Sequence, residues 1–222
     1  MSETVYIETS IIGYLTARPS NNLILMANLE ATREWWEDRR SYFTLYISQT
    51  VLDEVARGDR EIAAKRLEVL NDFPLLAIDE SVQNLASQFL SKSNLPPKAA
   101  DDALHMAVAT IYSLDYLLTW NCKHIANAQI QKKLAQISLN AGYELPNYLH
   151  TIRVNGGLKM WKDEVLEEIY KIREEHAKAF NYDLQAICDD LRKKQAESGK
   201  KIISKPLKQL SKPHTKKFRY NI

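Results

Sequence analysis

Four polar residues in the first half of the chain have types and positions suited to metal chemistry. Glu8 ends a short apolar run, Glu54 lies in a helix predicted directly after a second strand, Asp102 begins another helix, and Asn121 follows a later strand. The carboxyl ends of parallel strands share one edge of a sheet, so we expect these side chains to converge. Three unpaired carboxylates at one place repel each other unless a hard divalent cation binds there. Such a cation can activate water for hydrolysis of a phosphodiester.

Each of these residues also has a plainer interpretation. Glu8 could be a solvated strand end, and Glu54 lies in a charged stretch typical of a surface. Asp101 and Asp102 could be acids favoured by the dipole at a helix start. Asn121 could be a turn residue. Taken one at a time, the four residues leave these alternatives open.

The elements that must position these residues follow from the hydrophobic pattern. Short β-like runs alternate with longer helical patterns over the first 150 residues, which is typical of a parallel α/β sheet with right-handed crossovers. We predict a three-layer α/β/α sandwich with a parallel sheet of four to five strands. The predicted strands cover residues 5–7, 43–47, 75–78 and 116–119, and the predicted helices cover 23–40, 48–58, 61–71, 81–92, 99–113 and 130–141.

Composition narrows the class of protein. The 222 residues are 45% hydrophobic and 26% charged, as in ordinary globular domains. No stretch approaches the roughly 18 apolar residues of a membrane span, and the N-terminus lacks the pattern of a signal peptide. The two cysteines lie far apart and form no metal-type spacing. We therefore expect a cytoplasmic protein without a membrane partner.

Charge is distributed unevenly along the chain. Residues 1–157 hold 14 Lys/Arg and 18 Asp/Glu, whereas residues 158–222 hold 16 and 10. From Ser198 onward there are eight Lys/Arg and no acid. This basic tail is expected to meet something negative, which could be nucleic acid or the acidic body of the protein itself.

Four segments carry a resemblance to a known family. In order and spacing, YIETSIIGYL, ISQTVLDEVARGD, KAADDALHMAVAT and YLLTWNCKHIAN resemble the motifs of PIN-domain proteins, in the branch that includes the VapC-type toxins. The resemblance covers roughly residues 3–150. It implies a PIN-like α/β/α fold and a ribonuclease that depends on Mg²⁺ or Mn²⁺.

The resemblance also implies roles for the four polar residues. Glu8, Glu54 and Asp102 stand at the positions of the family's first, second and third acids, and are therefore the expected metal ligands and catalytic residues. The first acid is more often Asp in the family, so the longer side chain of Glu8 shifts where its carboxylate lies. Asn121 stands where many members have a fourth acid, and it offers only a neutral amide oxygen.

Neighbouring residues are candidates for support of this site. Thr9 or Ser10 could orient a metal-bound water, as the hydroxyl after the first acid does in similar proteins, and Asp101 lies beside the third acid. His105 shares a helical face with that acid, and we interpret it as a structural residue between helix and sheet. His124 could be a substrate contact or a helix-start residue.

The remainder of the chain is predicted to form a separate part. We assign 1–150 to the PIN-like domain, 151–159 to a linker and 160–222 to a helical segment with the basic tail. Two amphipathic helices, over 163–180 and 182–194, need a partner surface because they cannot form a core alone. From Met160, which resembles an internal start codon, the segment is similar to the small antitoxins often paired with PIN toxins.

The antitoxin-like segment leads to one main hypothesis and several alternatives. The helices would lie in an apolar groove of the PIN domain, and the basic tail would occupy the acidic site. Alternatively the segment extends the fold or forms a homodimer, or its tail binds RNA phosphates.

The sequence therefore predicts a metal-dependent endoribonuclease that hydrolyses RNA. We interpret it as the toxin component of a type II toxin–antitoxin system, whose partner is an antitoxin or its own C-terminal segment. From a different class, the chain could be a catalytically silent PIN-like binding or regulatory protein.

Overall fold

The computed structural model of the chain describes residues 2–149 and 163–208. The predicted linker at 151–159, the internal Met160 and the last part of the basic tail, from residue 209, lie outside the described residues. Within those residues, no helix has the length and apolar character needed to span a lipid bilayer.

The described part of the chain contains one sheet of six strands. They are β1 (Glu3–Ile7), β2 (Phe43–Ser48), β3 (Leu75–Leu76), β4 (Tyr116–Leu118), β5 (Asn147–Leu149) and β6 (Ile202–Ile203). Their order across the sheet is β5-β4-β1-β2-β3-β6, and every neighbouring pair is parallel. The first strand therefore lies inside the sheet, with β2 on one side and β4 on the other.

Helices connect the strands and pack around the sheet. Over the described ranges they are α1 (Thr9–Thr16), α2 (Leu23–Glu34), α3 (Gln49–Val55), α4 (Arg60–Val69), α5 (Glu80–Lys92), α6 (Ala100–Ile111), α7 (Ala128–Asn140), α8 (Glu164–Ala179) and α9 (Leu184–Glu197). The helix predicted over 23–40 is α-helical only to Glu34 and continues as a π-helical turn over Trp35–Arg39.

Burial along β1 shows that both faces of the sheet are covered. Val5, Tyr6 and Ile7 are all fully buried, although consecutive strand residues point to opposite faces. Every residue of α6 is buried as well, so this helix lies in the interior of the fold. The predicted three-layer α/β fold with a parallel sheet is confirmed.

The sheet is larger than predicted because the C-terminal segment adds a strand. Leu75 N–H donates to the carbonyl of Lys201 at 2.9 Å, and Ala77 N–H donates to the carbonyl of Ile203 at 2.9 Å. The exposed edge of β3 offers unpaired backbone groups, and β6 satisfies them. The start of the basic tail is therefore part of the sheet.

The two C-terminal helices share a core with the first 149 residues. Val165 and Ile169 of α8, like Ile187 and Leu191 of α9, belong to the same cluster of buried apolar side chains as the sheet. At Gly13 of α1, an added Cβ would lie 2.9 Å from Val165 Cγ1. The absence of a side chain at Gly13 therefore lets α8 pack directly against the backbone of α1.

Candidate active site

Three acids from three different elements meet at the carboxyl-terminal edge of the sheet. Glu8 directly follows β1, Glu54 lies in α3 just after β2, and Asp102 lies in the first turn of α6. All three are at most 1% exposed. Because β1 and β2 are parallel neighbours, the chain leaves both strands at the same edge, which brings Glu8 and Glu54 together. We call Glu8, Glu54 and Asp102 the acid cluster.

Hydroxyl groups hold the first two acids in place. The carboxylate of Glu8 caps α1, since it accepts from the backbone N–H of Ser10 at 3.0 Å and from the Ser10 hydroxyl. The same oxygen accepts from Thr119 Oγ1 at 2.8 Å. Thr9 donates from its hydroxyl to Glu54. The two hydroxyl residues after the first acid thus orient the carboxylates directly.

A single arginine from α8 binds all three acids. Arg173 Nε donates to Glu54 Oε1 at 2.6 Å and Nη1 donates to Asp102 Oδ1 at 2.5 Å. Nη2 donates to Glu8 Oε1 and, at 3.0 Å, to Glu54 Oε2. The arginine side chain is 2% exposed. Its planar guanidinium therefore lies where the three carboxylates converge and forms an ion pair with each of them.

The pKa shifts follow from this burial and pairing. Burial raises the pKa of Glu54, but the charge of Arg173 and then that of His105 lower it well below its usual range. For Asp102, burial likewise raises the pKa, and Arg173 and His124 lower it below the usual value. Burial lowers the pKa of Arg173, whereas the three carboxylates raise it well above the usual value. For Glu54, Asp102 and Arg173 the ion pairs thus outweigh desolvation, and these three side chains stay charged.

Asn121 and His124 hold the third acid. Asn121 Nδ2 donates to Asp102 Oδ1 at 2.6 Å, and His124 Nδ1 lies 2.9 Å from Asp102 Oδ2. The amide oxygen of Asn121 accepts from the backbone N–H of His124 and from the hydroxyl of Tyr170, both at 3.1 Å. In this arrangement the asparagine orients an acid, and its own oxygen already has two donors.

Asp101 does not join the acid cluster. Its carboxylate lies 2.8 Å from Nδ1 of His176, a buried residue of α8. The second ring nitrogen of His176 lies 3.8 Å from Asp53. Successive helical residues point in different directions, so Asp101 helps to dock α8 while Asp102 faces the cluster.

His105 packs against the sheet, as its interpretation as a structural residue requires, and also reaches the acids. Its Nδ1 lies 2.8 Å from the hydroxyl of Tyr6 on β1. Its Nε2 lies 3.1 Å from Glu54 Oε2. Glu8, Glu54 and His105 each offer a ligand atom, and these atoms lie within 4.8 Å of one another. Carboxylate oxygens and an imidazole nitrogen are suitable ligands for a divalent cation. The ion pairs of Arg173 with Glu8 and Glu54 show that a positive charge is accommodated between these residues.

The described part of the basic tail does not occupy the acid cluster, contrary to the expectation from its charge. Lys200 Nζ donates to the carbonyl of Leu70 at 2.8 Å, and Lys208 pairs with Asp115. Asp115 directly precedes β4, so it lies at the opposite end of the strand from the acid cluster. Pairing of β6 with β3 directs the tail up to residue 208 away from the acid cluster, where the cation is supplied by Arg173.

The sequence does contain a signal for Arg173, namely its position on the apolar face of an amphipathic helix. Arg173 follows Ile169 by four residues, and His176 follows Ile172 by four, so both basic residues lie on the apolar stripe of α8. A basic residue on the buried face of an amphipathic helix needs a buried acidic partner. The lysines in the described part of the tail, by contrast, have their partners outside the acid cluster.

A comparison with protein families now assigns the fold. The model of the PIN domain matches residues 5–123, which is more than half of the chain. No curated protein and no solved structure gives a significant match. The matched range contains Glu8, Glu54, Asp102 and Asn121, and it ends well before α8. The chain therefore belongs to the PIN-domain family.

Proposed function

We propose that the chain is a metal-dependent endoribonuclease that is held inactive by its own C-terminal segment. PIN domains are typically metal-dependent nucleases. The observation that carries the second half of the proposal is the set of ion pairs between Arg173 and the three acids. A cation built into α8 occupies the place that a metal ion needs.

Glu8, Glu54 and Asp102 are the residues that would hold Mg²⁺ or Mn²⁺. A bound ion of this kind supplies an activated water molecule and stabilises negative charge on a phosphodiester. Carboxylate oxygens suit both metals. In this proposal the three acids are the metal ligands and RNA is the substrate.

The surrounding side chains keep the ligands in position. Ser10 and Thr9 donate to Glu8 and Glu54, so these two carboxylates do not need to rotate before they bind a cation. Asn121 donates to the third acid and restricts its rotation in the same way. Such preorganisation is expected of a site that performs chemistry.

Arginine and metal compete for the same oxygen atoms. The guanidinium uses oxygens of all three carboxylates, and a divalent cation beside it would meet a like charge. Hydrolysis thus requires α8 to leave the acid cluster. This exclusion favours a toxin of the type II toxin–antitoxin class fused to an antitoxin-like segment, of which α8 is the inhibitory element.

A nuclease assay on the full chain tests the proposal. We expect little cleavage of a mixed RNA pool by the wild-type protein in Mg²⁺ or Mn²⁺, and metal-dependent cleavage by the Arg173→Ala variant. The double variant Arg173→Ala/Asp102→Asn should be inactive, because it lacks one ligand. Arg33→Ala, on an exposed face of α2, serves as the matched control and should behave like wild type.

Two outcomes would contradict the proposal. Absence of cleavage by Arg173→Ala in either metal would favour a catalytically silent PIN protein, in which the arginine is a permanent partner of a decayed site. Equal activity of wild type and variant would show that α8 does not inhibit. Induced expression in bacteria extends the test, since a toxin should arrest growth only when Arg173 is replaced.

A further inference from the structure

A cleft in the surface leads toward the acid cluster. A cavity of about 20 Å³ lies against Asp102 and Arg173, and Lys98, Lys123, His124 and Tyr170 complete its wall. That volume suffices for about one water molecule. A larger cleft of about 440 Å³ outside it shares Lys98, Lys123 and Tyr170 with the cavity. We call the two spaces together the mouth of the acid cluster, and side chains of α8 form part of the wall of both.

The two lysines are the residues that the PIN domain itself contributes to the outer cleft. Lys98 precedes α6 and Lys123 follows β4, and both lie within the matched range. The other residues that line the cleft all belong to α8: Glu167, Tyr170, Lys171, Glu174, Glu175 and Lys178. If α8 left, Lys98 and Lys123 would be the charged residues that remain of those lining the outer cleft.

Both lysines contact side chains of α8, although neither lysine is buried. Lys98 Nζ lies 2.9 Å from the carboxylate of Glu174. Lys123 Nζ lies 4.9 Å from the centre of the Tyr170 ring. The carboxylate on Lys98 takes the place that a phosphate would take, and the Tyr170 ring lies against the ammonium group of Lys123, where a second phosphate would bind.

The charge of the domain supports a role for these lysines in substrate binding. The first 157 residues hold 18 acidic and 14 basic residues, and the acid cluster adds its charge at the point where RNA must approach. A polyanion needs local cations to remain near such a site. Lys98 and Lys123 lie at the edge of the cavity that adjoins Asp102.

We propose that Lys98 and Lys123 bind phosphates of the RNA strand at the mouth of the acid cluster, and that α8 occupies these positions in the docked state. This inference rests on the proposed function and names the contacts of its substrate. The C-terminal segment then blocks both the metal ligands, through Arg173, and the substrate contacts, through Glu174 and Tyr170.

RNA binding by full-length variants tests this inference separately from cleavage. The lysine substitutions are made in the background of an Arg173→Glu variant. This change places a fourth carboxylate beside the three acids, and repulsion between them should expel α8 from the acid cluster. The probe is a fluorescent single-stranded RNA with 2′-O-methyl groups, which prevent cleavage, and anisotropy is measured over a range of salt. Gly13→Val provides a second background that displaces α8 and leaves the acid cluster unchanged, in case the first does not fold.

We expect either background to bind the RNA more tightly than wild type does. Addition of Lys98→Ala/Lys123→Ala should weaken binding about tenfold at 0.15 M salt and reduce the slope of log affinity against log salt by about 1.4, because each phosphate contact on a single strand contributes about 0.7. The matched control is Lys65→Ala/Lys92→Ala, which removes the same charge from α4 and α5.

The inference is wrong if the two lysine pairs have the same effect, or if neither background binds RNA. Failure of the proposed function gives a different result, namely binding that depends on Lys98 and Lys123 without cleavage of unmodified RNA. Tighter binding of a peptide or of another protein than of RNA would show that the mouth serves a protein partner, and would also overturn the inference.

Discussion

Replacement of Arg173 by alanine should make the stability of the protein depend on divalent metal. The change removes the cation that pairs with three buried carboxylates. Removal of one partner from a buried ion pair typically costs about 3–5 kcal/mol. For a chain of about this size, 1 kcal/mol corresponds to about 2–4 °C in Tm, so the variant should melt about 6–20 °C below wild type in EDTA.

Metal should restore much of this loss. A ligand at 100 times its Kd stabilises the folded state by about 2.7 kcal/mol, which corresponds to about 5–11 °C in Tm here. Wild type should gain little from the same metal, because Arg173 already uses the oxygens of the acids. Thermal melts in EDTA, Mg²⁺ and Mn²⁺ measure both effects without reference to nuclease activity.

Arg66→Ala is the matched control for this experiment. Arg66 is also buried and pairs at 2.9 Å with Glu168 of α8, away from the acid cluster. Its replacement should lower Tm without any recovery in metal. The reasoning is refuted if metal stabilises wild type as much as Arg173→Ala, or if metal leaves the Arg173→Ala variant unchanged.

Two further predictions concern pH and the contact between α1 and α8. The folded-state pKa values of Glu54 and Asp102 are lowered, so the stability they provide is complete above the ordinary carboxyl pKa of about 4 and is lost as pH falls below it. Urea unfolding between pH 7 and pH 3 should show this loss in wild type and a smaller loss in Arg173→Ala. Equal slopes of unfolding free energy against pH in the two proteins would contradict the prediction. Gly13→Val should clash with Val165, whose Cγ1 lies 2.9 Å from an ideal Cβ at residue 13. Because the clash should displace α8 while all charges are kept, nuclease activity should rise above that of wild type, and Gly13→Ala should give a smaller rise. Unchanged activity in both variants would show that α8 remains docked.

The fold could be predicted from the sequence because its strands and helices have strong local patterns. Val5, Tyr6 and Ile7 form a short apolar run that suits a strand covered on both faces. The segment over residues 100–111 is apolar on nearly every side, as a helix in the interior must be. The ends of the helices could be predicted less closely, since the helix predicted to residue 40 changes to a π-helical turn at Trp35.

The position of the acids followed from topology, whereas their partner did not. Polar residues after parallel strands share one edge whatever the rest of the chain does, and Glu8, Glu54 and Asp102 meet there on one guanidinium. The docking site of α8 depends on contacts between residues far apart in the chain, for example Arg173 with Glu54, which are separated by 119 positions. An amphipathic pattern indicates which face of a helix is buried and leaves its partner surface open.

The two-residue strand β6 could not be predicted for a different reason. Ile202 and Ile203 stand between lysines, and a run this short carries no periodicity. Its pairing is set by the free edge of β3. The basic composition around it indicated a solvated tail, and the backbone pairing outweighed that tendency.

Arg173 and the three acids that it pairs with belong to one chain, and under the proposed function this changes how inhibition would respond to concentration. A separate inhibitor dissociates on dilution, but a segment joined to its own target keeps an effective concentration of the order of millimolar. If the proposed function is correct, one inhibitory segment is present for every nuclease domain, so unequal synthesis of two chains could not free the enzyme. Cleavage of the chain between residues 149 and 163 would convert this arrangement into an ordinary bimolecular complex, and dilution alone would then release the nuclease.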